Sequence, residues 1–153
     1  MCVDFEGKHW AGVPDEKWVT RNAKLRTSRK VLFAAGLVPL LACSAIEAEG
    51  QFEFLSTQLR AVPTDRLAQA FLQLDGGASV DAGVRCLEAY DRFVELMADG
   101  QTRAELLTLT AESRNDSELW AEIKSLGDQL QQSLLALLFG PELSRLTQQF
   151  GIF

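Results

Sequence analysis

Apolar residues recur along this chain at intervals of three and four rather than two, the spacing that places side chains on one face of a helix. Past Gly50, Phe52, Leu55, Leu59 and Val62 follow that interval, and Pro63 closes the run because its ring cannot continue a helix. Thr64-Asp65 opens a short helix in which Leu67, Phe71 and Leu74 share a face. After the loop sequence DGGAS (75–79), Val80, Val84, Leu87, Asp91, Val94 and Ala98 trace a stripe broken by one charge, with Tyr90 and Met97 beside it and Gly100 in the position of a helix stop. Thr102-x-x-Glu105 fits a capping box and predicts a helix bearing Leu106, Leu107 and Leu109. Ser113 to Ser117 is a polar break. The longest predicted helix runs from Glu118 to Phe139 with Leu119, Ile123, Leu126, Leu130, Leu134 and Leu137 or Leu138 on one side. Gly140-Pro141 ends it and begins a last helix, Glu142 to Phe150, closed by Gly151; the apolar tail Ile152-Phe153 is expected to tuck into the domain.

Towards the N-terminus, Pro14-Asp15-Glu16 has a helix-start composition, with proline in the first turn and acids at the positive end of the dipole. The helix it starts is predicted to pass through Trp18, Asn22, Leu25, Arg29 and Leu32 and to kink or end at Pro39. Nowhere does period-two alternation persist, and β-branched residues are sparse. The expected fold is therefore all-α: a single domain over 14–153 built as an irregular bundle of about six or seven helices, preceded by an irregular extension, 1–13.

Composition supports a folded chain. At 153 residues, with 47% hydrophobic and 24% charged side chains, the protein is long enough to bury a core without metal or disulfide staples. The three cysteines, Cys2, Cys43 and Cys86, are an odd number with no C-x-x-C spacing, so a disulfide framework is not expected and a reducing, cytoplasmic setting is the default. Cys43 and Cys86 lie among apolar neighbours and read as small buried hydrophobes.

Charge changes the picture in one place. Lys17 to Ile46 holds six basic residues (Lys17, Arg21, Lys24, Arg26, Arg29, Lys30) and no acid, although the chain as a whole carries −6. The rest then has nine basic against twenty-one acidic residues, a body at −12 that repels nucleic acid and anionic lipid. A pI near 4.8 is far below the roughly 9 or more of a dedicated nucleic-acid binder. Arg21, Lys24 and Arg29 do not share a narrow helical face with Arg26 and Lys30. A solvated strip paired with acids is the plainer reading, and Arg21, Lys24, Arg26 and Arg29 are the candidates for phosphate contact.

The basic strip leads into sixteen uncharged residues, 31–46, which fall short of the about 20 needed to span a bilayer and contain Gly36 and Pro39. A buried, proline-kinked core helix is expected there. Leu40-Leu41-Ala42-Cys43 resembles the lipobox of bacterial lipoproteins, with Lys24 to Lys30 as the basic region and Val31 to Leu41 as the apolar one. That resemblance implies lipidation at Cys43 and a membrane-anchored protein of the cell envelope with residues 44–153 as its helical domain. Such a signal begins at the initiator methionine, whereas here Met1 to Thr20 precede it and include Asp4, Glu6, Asp15 and Glu16.

Candidate chemistry is thin. His9 is the only histidine, which excludes a histidine-rich metal site, and no G-x-S-x-G nucleophile motif occurs. Gly76-Gly77-Ala78-Ser79 lacks the G-K-[ST] ending of a phosphate loop. Carboxylate pairs such as Glu88/Asp91 and Glu118/Glu122 are what twenty-one acids on helices produce by chance, and calcium-loop spacing is absent. No catalytic residue, cofactor site or metal ligand is assigned. Phe52, Phe71, Phe93, Trp120, Phe139 and Phe150 are expected in the core.

These features point to a non-catalytic helical domain acting through protein–protein contact, either with a partner or as a homo-oligomer. It could be the accessory or C-terminal part of a larger bacterial protein, such as an enzyme or a toxin-defence-like system. The 118–139 helix is the expected oligomer seam. The envelope lipoprotein and a phosphate- or nucleic-acid-contacting module on 17–30 are the alternatives.

Overall fold

A computed structural model describes residues 18–74, 79–110 and 112–150, and every regular element among them is helical. In chain order these are α1 (Trp18–Arg26), α2 (Ser28–Cys43), α3 (Ala48–Arg60), α4 (Pro63–Gln73), α5 (Val80–Ala98), α6 (Gly100–Thr108), a 3-10 turn (Ser113–Asp116), α7 (Glu118–Leu138) and α8 (Ser144–Phe150). The expected start at Pro14-Asp15-Glu16, the extension 1–13 with His9, the loop 75–78 and the tail 151–153 lie outside the described residues.

The all-α expectation holds, and the chain is a single compact domain. Its centre is the pair α5–α7, the most extensive helix contact. At one end this pair meets α2 and α4 around Val31, Val38, Leu67, Phe71, Cys86, Leu130 and Leu137. At the other it meets α1 and α6 around Val19, Ala23, Phe93, Leu106, Trp120 and Ile123. Tyr90 and Leu126 pack against both clusters and join them.

Several local expectations are corrected. The first helix breaks at Thr27 rather than at Pro39. Thr27 leaves helical geometry (φ −123, ψ −90), and its buried hydroxyl donates to the Ala23 carbonyl at 2.8 Å, a bond that competes with the helical ladder. Pro39 instead lies inside α2, which continues to Cys43. A proline lacks the N–H that would bond to the carbonyl four residues back. Here that carbonyl, of Ala35, accepts from Arg66 Nη1 at 3.0 Å, so α4 supplies the missing donor.

In α5 the predicted stripe is the wrong face. Val84 and Val94 are exposed, while Ala82, Gly83, Cys86, Ala89, Phe93 and Leu96 are buried. The small side chains let α4 and α7 approach closely, and that packing outweighs the valines' greater hydrophobicity. α6 is capped by Asp99, whose carboxylate accepts from the Thr102 N–H at 2.7 Å, in place of the capping box predicted from Thr102 and Glu105. Gly100, predicted as a stop, begins that helix.

The α7 stripe is as predicted: Ile123, Leu130, Leu134, Leu137 and Leu138 are buried. Its start is fixed by Ser117, whose hydroxyl accepts from the Trp120 N–H at 3.2 Å. Of the expected core aromatics, Phe71, Phe93 and Trp120 are buried, whereas Phe52, Phe139 and Phe150 are exposed. No described helix is long and apolar enough to cross a membrane.

Candidate functional site: an open apolar face and a basic pocket

From Val31 onwards helix α2 is apolar all round but buried on one side only. Val31, Ala34, Ala35, Val38 and Leu41 face the core. On the opposite side Leu32, Phe33 and Leu40 are 56%, 58% and 59% exposed, with Gly36 between them. At Gly36 an added Cβ would meet nothing within 4 Å. α3, which packs beside α2, buries none of its residues, and its predicted core residue Phe52 is 83% exposed. Its Leu59 and the following Val62 are exposed as well. The buried-core-helix expectation for 31–46 therefore holds for half of its circumference. The α7 stripe, the expected oligomer seam, faces the chain's own core.

Cys43 closes α2 in a buried position, its Sγ 3.9 Å from the Gln51 carbonyl. A chain beginning at Cys43 would lack Val19, Ala23, Val31, Ala34, Ala35, Val38 and Leu41, which belong to the two cores. Cys86 is buried too, and burial pushes its thiol up to about 11, so it stays protonated and unreactive at neutral pH.

The four candidate phosphate contacts do not converge. Lys24 and Arg29 are exposed, Arg21 is half-buried, and only Arg26 turns to α7. Its Nη1 sits 3.4 Å from Asp128 Oδ1, and neighbouring Lys30 donates from Nζ to the Gly127 carbonyl at 3.3 Å. Burial and the Arg26 charge lower the Lys30 pKa, with Asp128 opposing them.

Arg26 instead meets cations from elsewhere in the chain. A pocket of about 220 Å³ is lined by Asn22 and Arg26 of α1, Arg114 and Asn115 of the 3-10 turn, and Trp120, Ala121 and Lys124 of α7. The Arg114 guanidinium lies 4.2 Å from the Trp18 ring centre and 5.5 Å from that of Trp120, within cation–π range of both. Arg114 Nε and Nη1 and Arg26 Nε are buried and make no hydrogen bond to the described residues. Burial first, then the Arg26 charge, lower the Arg114 pKa, while Glu112 opposes them through space.

Sequence reasoning missed Arg114 and Lys124. The first reads as one charge in a polar break and the second as a solvated position on a long helix. Trp120 lies near Arg114 in the chain but Trp18 does not, so the two rings meet around Arg114 only because α1 lies across α7. No group of three or more potential metal ligands occurs among the described residues. No protein family, curated protein or solved structure matches the chain.

Proposed function

We propose that this is a helical protein–protein interaction domain without chemistry of its own, and that its partner on the α2–α3 face is a second copy of the chain. The observation that carries this reading is the exposed stripe Leu32, Phe33, Gly36 and Leu40, which is complementary to itself. When two α2 helices pack antiparallel about Gly36, Leu32 of one copy meets Leu40 of the other, twice, because a twofold interface pairs each contact with its mirror.

Charge favours the same arrangement. Lys24 and Arg29 are exposed near the α1–α2 end of the stripe, and Glu47, Glu49 and Glu53 are exposed near its other end. Antiparallel pairing brings the basic end of each copy towards the acidic end of its neighbour, whereas parallel pairing opposes like charges. Gly36 adds a reason of its own. A glycine inside a helix costs about 0.5–1 kcal/mol relative to alanine, and no neighbour among the described residues requires it. A helix approaching from outside supplies that requirement.

Sedimentation velocity over a concentration series tests the reading. A reversible dimer is expected, weakened by salt and abolished by Leu40→Glu, which places a charge against the apolar Leu32 of each neighbouring copy and leaves the core untouched. A chain that stays monomeric at hundreds of micromolar, or a dimer indifferent to Leu40→Glu, refutes it.

A further inference from the structure

The pocket between α1, the 3-10 turn and α7 lies apart from the α2–α3 face, and its chemistry is different. We infer that it binds a small phosphate monoester, held by Arg26, Arg114 and Lys124 with Asn22 and Asn115 as neutral donors.

The argument starts from unbalanced charge. The lining holds three cations and no acid. Asp128, which lines the adjoining trough, engages Arg26 at 3.4 Å, and Glu112 is exposed. Buried N–H groups normally find acceptors, and charged ones are the costliest to leave unpaired. Three N–H-bearing nitrogens of Arg26 and Arg114 are buried without one here. An anion in the pocket offsets the repulsion between the two guanidinium groups, which Asp128 and Glu112 compensate only in part.

Arg114 is also preorganised. Trp18 and Trp120 hold the guanidinium through its ring contacts, so little side-chain freedom is lost when the planar fork meets an oxyanion. A tetrahedral phosphate, with several acceptor oxygens, suits donors that arrive from three separate elements. The volume of about 220 Å³ is too small for a polymer strand but adequate for a phosphate and a short stem. Next to it, sharing Ala121 and Lys124, runs a polar trough of about 410 Å³ lined also by Ser125, Asp128, Gln129 and Gln132, which offers amide, hydroxyl and carboxylate partners to a neutral polar body rather than to a second anionic group. The −12 surroundings disfavour long nucleic acid and leave a compact dianion as the better match.

Calorimetric titration with phenyl phosphate, glycerol phosphate and inorganic phosphate, together with thermal denaturation in their presence, tests the assignment. The wild-type protein is expected to bind a monoester at micromolar to millimolar concentration and to melt higher with it. Lys124 is exposed, so Lys124→Gln keeps the fold and should weaken binding roughly tenfold, the equivalent of one lost charge-assisted contact. Arg114→Gln should abolish binding. Arg114→Lys, which keeps the charge but loses the fork, should restore only part of it. No heat and no melting shift with any monoester, or binding unchanged in Lys124→Gln and Arg114→Gln alike, overturns the proposal. An affinity that rises steadily with oligonucleotide length also overturns it, because it would reassign the cations to a nucleic-acid backbone.

Discussion

Gly83 and Gly36 both lie within long helices, yet a methyl group added to each would meet opposite surroundings. At Gly83 of α5 the new carbon would fall 2.6 Å from Phe71 Cβ, closer than real side chains approach. At Gly36 of α2 it would meet nothing within 4 Å. The first glycine is explained by packing inside the chain, where α4 crosses α5 at close range. The second has no such explanation among the described residues, and it lies on the side of α2 that carries exposed Leu32, Phe33 and Leu40, beside a helix, α3, with exposed Phe52. The closed core around Phe71 and the open face around Gly36 thus use the same residue types with different completeness. A packed interior accounts for its small residues from within, and an unfinished surface does not.

The sharpest way to break this comparison is to truncate one aromatic from each region. Phe71→Ala should cost about 3–5 kcal/mol in urea denaturation, since it empties a fully packed site. Phe52→Ala should stay within about 0.5 kcal/mol for the monomer. Equal costs would show that the α3 face is not open. The glycines come next in size. Gly83→Ala should destabilise by about 1–3 kcal/mol through overpacking. Gly36→Ala should instead stabilise the monomer by about 0.5–1 kcal/mol while loosening self-association, a split that equilibrium unfolding and sedimentation read separately.

Between the two regions sits the Arg66 contact. Arg66→Met should cost about 1–2 kcal/mol by leaving the Ala35 carbonyl without its donor. Pro39→Ala restores an N–H within α2, so the penalty of Arg66→Met should shrink in that background, and a double-mutant cycle measures the coupling. The smallest effect concerns pH. Hydrogen bonds from Thr102, first from its side chain and then from its backbone N–H, hold the Asp99 carboxyl below its ordinary range. A depressed carboxyl contributes stability above the unfolded pKa of about 3.9 and loses it as pH falls through the folded value. Asp99→Ala should therefore flatten the acid limb of the stability profile and leave stability near pH 9 to 10 sensitive to other groups. An acid limb of unchanged shape would remove Asp99 from the cap.

Much of the helical plan was legible because its causes are local. The α7 stripe, the stop at Pro63 and the polar break before Ser117 follow from spacing and backbone chemistry that act within a few residues. Composition likewise bounded the fold class. The α5 stripe was misread because periodicity marks an apolar face without saying which face a neighbour will choose. Close approach favoured Ala82, Gly83 and Cys86 over Val84 and Val94. Phe52 and Leu59 carried a helical period that nothing among the described residues covers. The basic strip was visible as a strip, but its division into solvent-facing Lys24 and Arg29 and pocket-facing Arg26 was not.

The sequence by itself determined that this chain folds as helices, approximately where those helices lie, and that a basic strip without acids lies over 17–30 in an otherwise acidic chain. The tertiary structure alone decided which face of each helix is buried, which donor replaces the one Pro39 lacks, and that Arg26, Arg114 and Lys124 share a pocket. The physical reason is range. Backbone hydrogen bonding, capping and periodicity are set by residues a turn apart, whereas burial and charge convergence depend on elements brought together only when the bundle closes.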